Sequence, residues 1–321
     1  MKINKLLCAV ALTEEQKIRI KNKLPDTEIE YSGYLVDNED KLDGVDVIFG
    51  NVKPAYLEGC KTLKWVQLAS AGTDGYLPLM DRGVMLTNAT GGYGETISEH
   101  ILAVLLMLQK KLHIYHDNMY SHTWKRKGKV LAIKGSTCLV IGMGDIGGAF
   151  AKRMKMLGAY IIGVRRADMR KPDYCDELYM MDKLDELLPR ADSVVMVLPD
   201  TPLTHGVMNK ERLALMKDTA ILINVGRGTA IVQEDLVEAL NTDKLWGASI
   251  DVAVPEPLPA DSPLWTAKNL IITPHSSGGF SLPQNTDDVM RVFFENLENY
   301  YADKKLFNLV DPKTGYAERR P

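Results

Sequence analysis

Residues 138–166, CLVIGMGDIGGAFAKRMKMLGAYIIGVRR, decide how this chain is read. Residues 138–141 form a short apolar, β-branched run of the kind a buried parallel strand shows. Gly142, Gly144 and Gly147 follow at G-x-G-x-x-G spacing. Phe150, Met154 and Leu157 then recur at helical intervals until Gly158 stops the pattern, and residues 160–164 read as a second strand. Strand, glycine turn, helix and strand in that order are the context a glycine motif needs before it points to a dinucleotide.

The chemistry assigns each position a task. Gly142 permits the tight turn, Gly144 lets the backbone approach a pyrophosphate, and Gly147 allows close packing of helix on strand. Asp145 and Ile146 open the helix whose N-terminal N–H groups face the anion. About 20 residues after such a motif, an acidic residue binds the ribose 2′-hydroxyl of NAD, whereas arginine accommodates the 2′-phosphate of NADP. Here the second strand ends in Arg165 and Arg166. Two guanidiniums offer a phosphate charge-assisted, bidentate hydrogen bonds. The expected cofactor is therefore NADP(H), with NAD(H) as the alternative if Asp168 reaches the ribose instead.

Bulk properties narrow the field further. With 321 residues there is room for two domains with good cores, and 45% apolar with 25% charged residues is an ordinary globular composition. A net charge of -3 gives no basic excess to hold a nucleic-acid backbone. Cysteines 8, 60, 138 and 175 share no metal-like or disulfide-like spacing and read as buried thiols in a reducing, cytoplasmic compartment. The start of the chain has two lysines before an apolar run, residues 6–12, but that run is short and passes straight into Glu14 and Glu15. It is expected to be a first strand rather than a secretion signal. No apolar run approaches the ~18 residues of a membrane span.

Residues 1–92 alternate strands with helical stretches, which suggests a small parallel α/β domain. Strands are expected at 5–12, 46–50 and 65–68, and Thr13-Glu14-Glu15-Gln16 has the form of a capping box. The loop Ala69-Ser70-Ala71-Gly72-Thr73-Asp74-Gly75 sits at the carboxyl end of a strand, where ligands bind in open α/β sheets. Its small side chains leave backbone N–H groups accessible to a carboxylate, although an ordinary tight turn fits nearly as well. Gly91-Gly92-Tyr93-Gly94 looks like a hinge. Thr96 and Glu99 then match a second capping box, and Ile97, Ile101, Val104, Leu105, Leu108 and Leu112 line one face of a long helix. His113 and His116 lie three apart near its end; with no third ligand signalled they read as a solvated helix end, not a metal site. Residues 130–280 read as one doubly wound nucleotide domain with further strands at 193–198, 220–225, 248–252 and 270–273. A last helix from 285 to about 301 carries Val289, Val292, Phe293 and Leu297 on one side.

Three strand-end segments complete the pattern. Asn224-Val225-Gly226-Arg227-Gly228, Asp251-Val252-Ala253-Val254-Pro255-Glu256-Pro257 and Thr273-Pro274-His275-Ser276-Ser277-Gly278 follow in order, with 29 and then 19 residues separating Arg227, Glu256 and His275. Together with the glycine motif they resemble the D-isomer-specific 2-hydroxyacid dehydrogenases, glyoxylate/hydroxypyruvate reductases among them, over nearly the whole chain. The resemblance implies two doubly wound, Rossmann- or flavodoxin-like α/β domains with parallel sheets. The substrate domain would comprise residues 1–94 and 286–321, the dinucleotide domain residues 95–285, and the active site the cleft between them. It also implies a homodimer.

Carried over by position, Arg227 binds substrate, Glu256 is the carboxylate partner, and His275 is the acid/base. Asp251 would stand near the nicotinamide carboxamide, and Ser70, Ala71 and Gly72 would form the substrate-carboxylate loop. Leu198, Pro199, Val225, Gly226 and Gly278 are expected cofactor contacts alongside Arg227, Asp251 and His275. Tyr93 either touches the distal part of the substrate or packs the hinge.

These roles agree with the chemistry. Reducing a 2-oxo acid moves a hydride to the carbonyl carbon, so the carbonyl oxygen needs a proton donor and the carboxylate a planar cation. An arginine holds the carboxylate through two parallel hydrogen bonds, and an imidazole carries a proton near neutral pH. Hydrogen bonding to a glutamate favours the protonated imidazole. Taken singly, Arg227 reads equally well as a capping or phosphate-binding residue, Glu256 as a surface acid and His275 as a turn residue; their joint register favours catalysis. The leading expectation is an enzyme acting on a small 2-oxo or 2-hydroxy acid. A phosphoglycerate dehydrogenase using NAD is the runner-up, although the 70–75 loop has no basic residue for a phosphate and residues 306–321 are short for an appended regulatory domain. A nucleotide-sensing co-repressor that binds protein partners is the reading from another class, and keeping Arg227, Glu256 and His275 together argues against it.

Overall fold

A computed structural model describes residues 2–33, 42–73, 75–166, 169–278, 283–313 and 315–317. Asp74 and Asp168, both weighed from the sequence, lie outside the described residues. The chain divides into two compact units, Met1–Tyr93 with Phe280–Pro321, and Gly94–Gly279.

The first unit is built on five strands: β1 (Lys5–Ala9), β2 (Glu28–Tyr31), β3 (Val47–Gly50), β4 (Trp65–Gln67) and β5 (Met85–Thr87). They lie in the order β2-β1-β3-β4-β5, with every pair parallel. This is the flavodoxin-like order, whose crevice falls where β1 and β3 send their connections to opposite sides. β1 stops at Ala9, short of the expected residue 12, because its neighbours end there: Cys8 is level with Tyr31 and Ala9 with Gly50. Helix α1 (Glu14–Lys23) starts at the expected capping box, with Gln16 N–H donating to Thr13 Oγ1 at 3.2 Å and Thr13 N–H to Gln16 Oε1 at 2.9 Å. A short helix, α2 (Pro54–Leu57), follows β3.

The C-terminal segment completes this core. Helix α9 (Pro283–Tyr301) buries Val289, Val292, Phe293 and Leu297, the residues expected on its inner side. Phe293 stacks on Phe49 with ring centroids 4.3 Å apart, and Tyr300 lies 5.4 Å from Trp65. Burying each such ring contributes roughly 1.5–3 kcal/mol. Asn296 adds a polar anchor, donating to Gln67 Oε1 at 2.9 Å.

The second unit carries seven parallel strands, β6 (Thr137–Ile141), β7 (Tyr160–Val164), β8 (Glu177–Tyr179), β9 (Ser193–Met196), β10 (Ile221–Asn224), β11 (Gly247–Ile250) and β12 (Leu270–Ile272). Their order, β12-β11-β10-β9-β6-β7-β8, is doubly wound and reverses between β6 and β9. Its helices include α3 (Gly94–Gln109), α4 (Leu112–Tyr120), α5 (Asp145–Met156), α6 (Leu184–Leu187), α7 (Lys210–Leu215) and α8 (Gln233–Asn241). β6, α5 and β7 reproduce the strand, turn, helix and strand of the opening stretch.

The long helix departs from expectation at both ends. α3 begins at Gly94, so Thr96 lies inside it rather than capping it, and Ser98 Oγ donates to Glu95 O at 2.8 Å within its first turns. It ends at Gln109, since Lys111 adopts a left-handed φ of 59° and a new helix starts. Ile97, Ile101, Val104, Leu105 and Leu108 are buried, whereas Leu112, beyond the break, is 51% exposed. His113 Nε2 meets Asn269 Oδ1 at 3.2 Å, and His116 is exposed. All four cysteines are free and buried, and burial pushes the Cys8 and Cys138 thiols up to about 12. Among the described residues no helix is long and apolar enough to cross a membrane.

Candidate active site

In a parallel sheet all carboxyl ends lie along one edge, so the turns after β6, β9, β10, β11 and β12 gather there. The glycine turn comes first. Gly142 has φ +103°, and a Cβ on it would fall 2.2 Å from Val197 O; a Cβ on Gly147 would fall 2.2 Å from Gly142 O. Both positions therefore require glycine for the backbone to close. Gly144 is different, because a Cβ there meets nothing within 4 Å. That open face, at the N-terminus of α5, is the kind of cradle a pyrophosphate needs.

Gly142 and Met143 donate their N–H groups to Val164 O at 3.0 and 3.1 Å, which fixes the turn against the end of β7. Asp145 turns its carboxylate toward α3, where a Cβ on Gly94 would fall 2.7 Å from Oδ1. Ile146 is half-buried. Arg165 donates Nε to Met143 O at 2.8 Å and Nη1 to Arg170 O at 3.2 Å, which holds its guanidinium beside the glycine turn. Arg166 is exposed.

Beyond β9 and β10 two loops touch backbone to backbone. A Cβ on Gly226 would fall 2.4 Å from Leu198 O. Pro199 is held by Thr204, whose hydroxyl donates to Pro199 O at 2.6 Å. Val225 is buried and extends the ladder through its N–H to Met196 O at 3.1 Å. Asn224 braces the turn, accepting from Gly226 N–H at 3.0 Å and donating to Arg227 O at 2.9 Å. The Arg227 guanidinium is half-buried and donates to Gly226 O at 2.8 Å.

Glu256 and His275 meet. His275 Nδ1 lies 2.8 Å from Glu256 Oε2, and Ala253 N–H donates to Glu256 Oε1 at 3.0 Å. The side chains stay 50% and 40% exposed, open to a reactant. The Arg227 and Glu256 loops are also in contact, since a Cβ on Gly228 would fall 2.5 Å from Ala253 C and O.

Asp251, which the sequence reading sets near the nicotinamide carboxamide, is buried, and its carboxylate is engaged by the 273–277 turn. It accepts from Thr273 Oγ1 at 2.5 Å, Ser276 N–H at 2.9 Å, Ser277 N–H at 3.1 Å and the Ser277 hydroxyl. Its carbonyl accepts from His275 N–H at 2.7 Å, and His275 takes a left-handed φ of 51°. Asp251 thus folds the turn that presents the imidazole. Gly278, half-buried, follows it. His100 Nε2 stands 3.5 Å from Thr273 Oγ1, and burial pushes that imidazole down, with the Asp251 charge opposing.

In the first unit, the loop after β4 is held by side chains from elsewhere. Asn51 accepts from Ala69 N–H at 2.9 Å and donates to Ser70 Oγ at 2.9 Å; Ser70 Oγ donates to Gly72 O at 2.8 Å; Asn88 Nδ2 donates to Ala71 O at 2.7 Å. Tyr93 is 6% exposed and its hydroxyl donates to Ala69 O, which ties it to this loop. The N–H groups of Ser70, Ala71 and Gly72 have no acceptor among the described residues. Asn51, Asn88 and Thr204 escaped the sequence reading, because an isolated polar residue carries no spacing signal; Asn224 and Thr273 appear there only as members of their strand-end segments.

The described residues hold no group of three His, Cys, Asp or Glu placed to bind a metal. The NAD binding domain of the D-isomer specific 2-hydroxyacid dehydrogenases matches residues 102–277. The chain belongs to that family. It is 31% identical over 283 residues to the hydroxypyruvate reductase of Blautia hydrogenotrophica, covering 83% of this chain and 86% of that one. A D-3-phosphoglycerate dehydrogenase of Methanocaldococcus jannaschii is 31% identical over 257 residues, 77% of this chain and 49% of that one. Among solved structures, a D-isomer specific 2-hydroxyacid dehydrogenase family protein from Aeromonas salmonicida superposes with a TM-score of 0.84 at 34% identity, over 97% of this chain and 100% of that one. The NADPH-dependent glyoxylate/hydroxypyruvate reductase of Sinorhizobium meliloti, in complex with NADP and sulfate, gives a TM-score of 0.81 at 25% identity, over 98% and 100%. This 2-hydroxyacid dehydrogenase is thus an oxidoreductase with a Rossmann nucleotide domain.

Proposed function

We propose that this enzyme reduces a small 2-oxo acid of the glyoxylate or hydroxypyruvate type to the D-2-hydroxy acid with NADPH. The observation that carries the reading is the 2.8 Å contact between Glu256 and His275 on a loop packed against that of Arg227. With Nδ1 engaged by Glu256, the imidazole presents Nε2 as the proton donor to the carbonyl oxygen. Arg227 pairs with the substrate carboxylate and polarises the adjacent carbonyl. The N–H groups at 70–72 form an anion cradle of the kind successive backbone amides make.

The glycine turn fits a dinucleotide, since Gly144 leaves its face open where Gly142 and Gly147 cannot bear a side chain. When bound, the reduced nicotinamide supplies the hydride. Gly144 and the first turn of α5 would hold the pyrophosphate, with Leu198, Pro199, Val225, Gly226 and Gly278 along the same sheet edge. Arg165, anchored by Met143 O, and Arg166 would take the 2′-phosphate, which supports NADP(H) over NAD(H). The absence of a basic residue from the 70–75 loop weighs against a phosphorylated substrate.

The test is steady-state reduction over a panel of 2-oxo acids with NADPH and with NADH. NADPH should be preferred, and Arg165→Ala with Arg166→Ala should lower that preference by at least ~10-fold, the value of about one charge-assisted hydrogen bond. NADH used as well as NADPH would overturn the cofactor assignment, and no turnover of glyoxylate or hydroxypyruvate would overturn the substrate.

The subunit is assigned to a homodimer through α4 and the segment that follows. α4 buries none of its residues, and Met119, Tyr120 and Trp124 are 70%, 78% and 103% exposed. Large apolar groups left bare in this way mark an association surface. Light scattering should give twice the chain mass, reduced to the chain mass by Trp124→Glu with Tyr120→Glu; a monomeric wild type would contradict it. The four buried free thiols favour a cytoplasmic setting.

A further inference from the structure

We propose that Gln233 is a positioning residue that sets Glu256 against His275 through the Val254 peptide, an inference that rests on the assigned roles of Glu256 and His275. Gln233, the first residue of α8, spans the gap to the Glu256 loop with both ends of its amide. Its Nε2 donates to Val254 O at 2.7 Å, and its Oε1 accepts from Val254 N–H at 2.9 Å. That is the pairing a neighbouring strand would make, supplied by one side chain.

Apart from the rings of Pro255 and Pro257, which fix their own φ, the loop has few tertiary contacts before Leu258 meets the core. Val254, Pro255, Glu256 and Pro257 are all exposed, so no buried apolar surface locks their conformation. Among the described residues, the contacts that reach its N-terminal side from outside the loop are the Gly228 backbone against Ala253 and the Gln233 bridge at Val254. Both come from the segment leading out of the Arg227 turn, and Ala253 is the residue whose N–H holds Glu256 Oε1 at 3.0 Å. The chain from Arg227 through Gly228 to Gln233 therefore transmits the position of the arginine turn to the glutamate. Free of the bridge, the Val254 peptide can rotate, and the carboxylate no longer waits within hydrogen-bonding reach of the imidazole. A misplacement of about 1 Å at such a pair costs up to ~10²-fold in rate.

The experiment is a double-mutant cycle in the full-length enzyme, with NADPH and hydroxypyruvate. Gln233→Ala should lower kcat by ~5–20-fold and leave KM for the 2-oxo acid and the dissociation constant of NADPH within about twofold, as expected of a residue that acts on the chemical step. In the Glu256→Ala background the same substitution should change kcat by less than ~2-fold, because its route to the imidazole is already cut. Gln233→Glu, of equal length, sets a charged oxygen against the Val254 carbonyl and should lower kcat at least as far; it decides the case if the alanine variant does not fold. Unchanged kcat in Gln233→Ala, or an equal fold-loss in both backgrounds, would overturn the proposal. Full kcat in Glu256→Ala alone would instead remove the assigned role of Glu256, and the proposal with it.

Discussion

The two units hold the loops assigned to their ligands by opposite means. In the nucleotide unit the backbone itself is the constraint: Gly142, Gly147, Gly226 and Gly228 lie where a Cβ would fall within 2.2–2.5 Å of backbone atoms. In the first unit the loop at 69–72 is tied by side chains reaching in from Asn51, Asn88 and Tyr93. A backbone-locked turn tolerates almost no change and moves little. A loop hung on amide side chains can be retuned one hydrogen bond at a time, which suits a segment assigned to recognise the variable partner, the acid, while the dinucleotide stays constant.

Glycine substitutions give the sharpest contrast. Gly142→Ala combines a left-handed φ with a 2.2 Å approach to Val197 O, so loss of soluble, folded protein or of all measurable NADPH binding is expected. Gly144→Ala has open space and an ordinary φ, so thermal unfolding should remain near wild type while NADPH affinity falls by ~10-fold or more as the methyl enters the pyrophosphate cradle. A folded, fully NADPH-competent Gly142→Ala would break the comparison. A smaller effect is expected from Asn88→Ala, which removes one bond, to Ala71 O. KM for the 2-oxo acid should rise by ~3–10-fold, the worth of about one hydrogen bond, with NADPH binding unchanged in calorimetry. Equal loss of both affinities would show that the loop is not a separate recognition element.

The same contrast explains what the sequence discloses. The strands β6, β7, β9, β10 and β11 are continuous apolar runs buried on both faces, and the glycines between them are forced by close approach, so composition and spacing carry the nucleotide unit. Arg227 is legible between Gly226 and Gly228, two such forced positions, and Glu256 and His275 by their spacing from it. β2, β5 and β8 were not, being three or four residues of mixed polarity at or near sheet edges. The break after Gln109 was missed because no glycine or proline marks it; Lys111 takes the left-handed conformation itself. The bonds that Asp251 receives from residues 273, 276 and 277 depend on a turn that folds back upon it, which no spacing discloses.

The central claim is that the imidazole of His275 delivers the proton. Single-turnover reduction of hydroxypyruvate by the NADPH complex, in wild type and in His275→Ala, tests it directly. Removing a general acid should slow the chemical step by at least ~10²-fold and leave NADPH affinity unchanged. Turnover close to wild type in the alanine variant would contradict the claim.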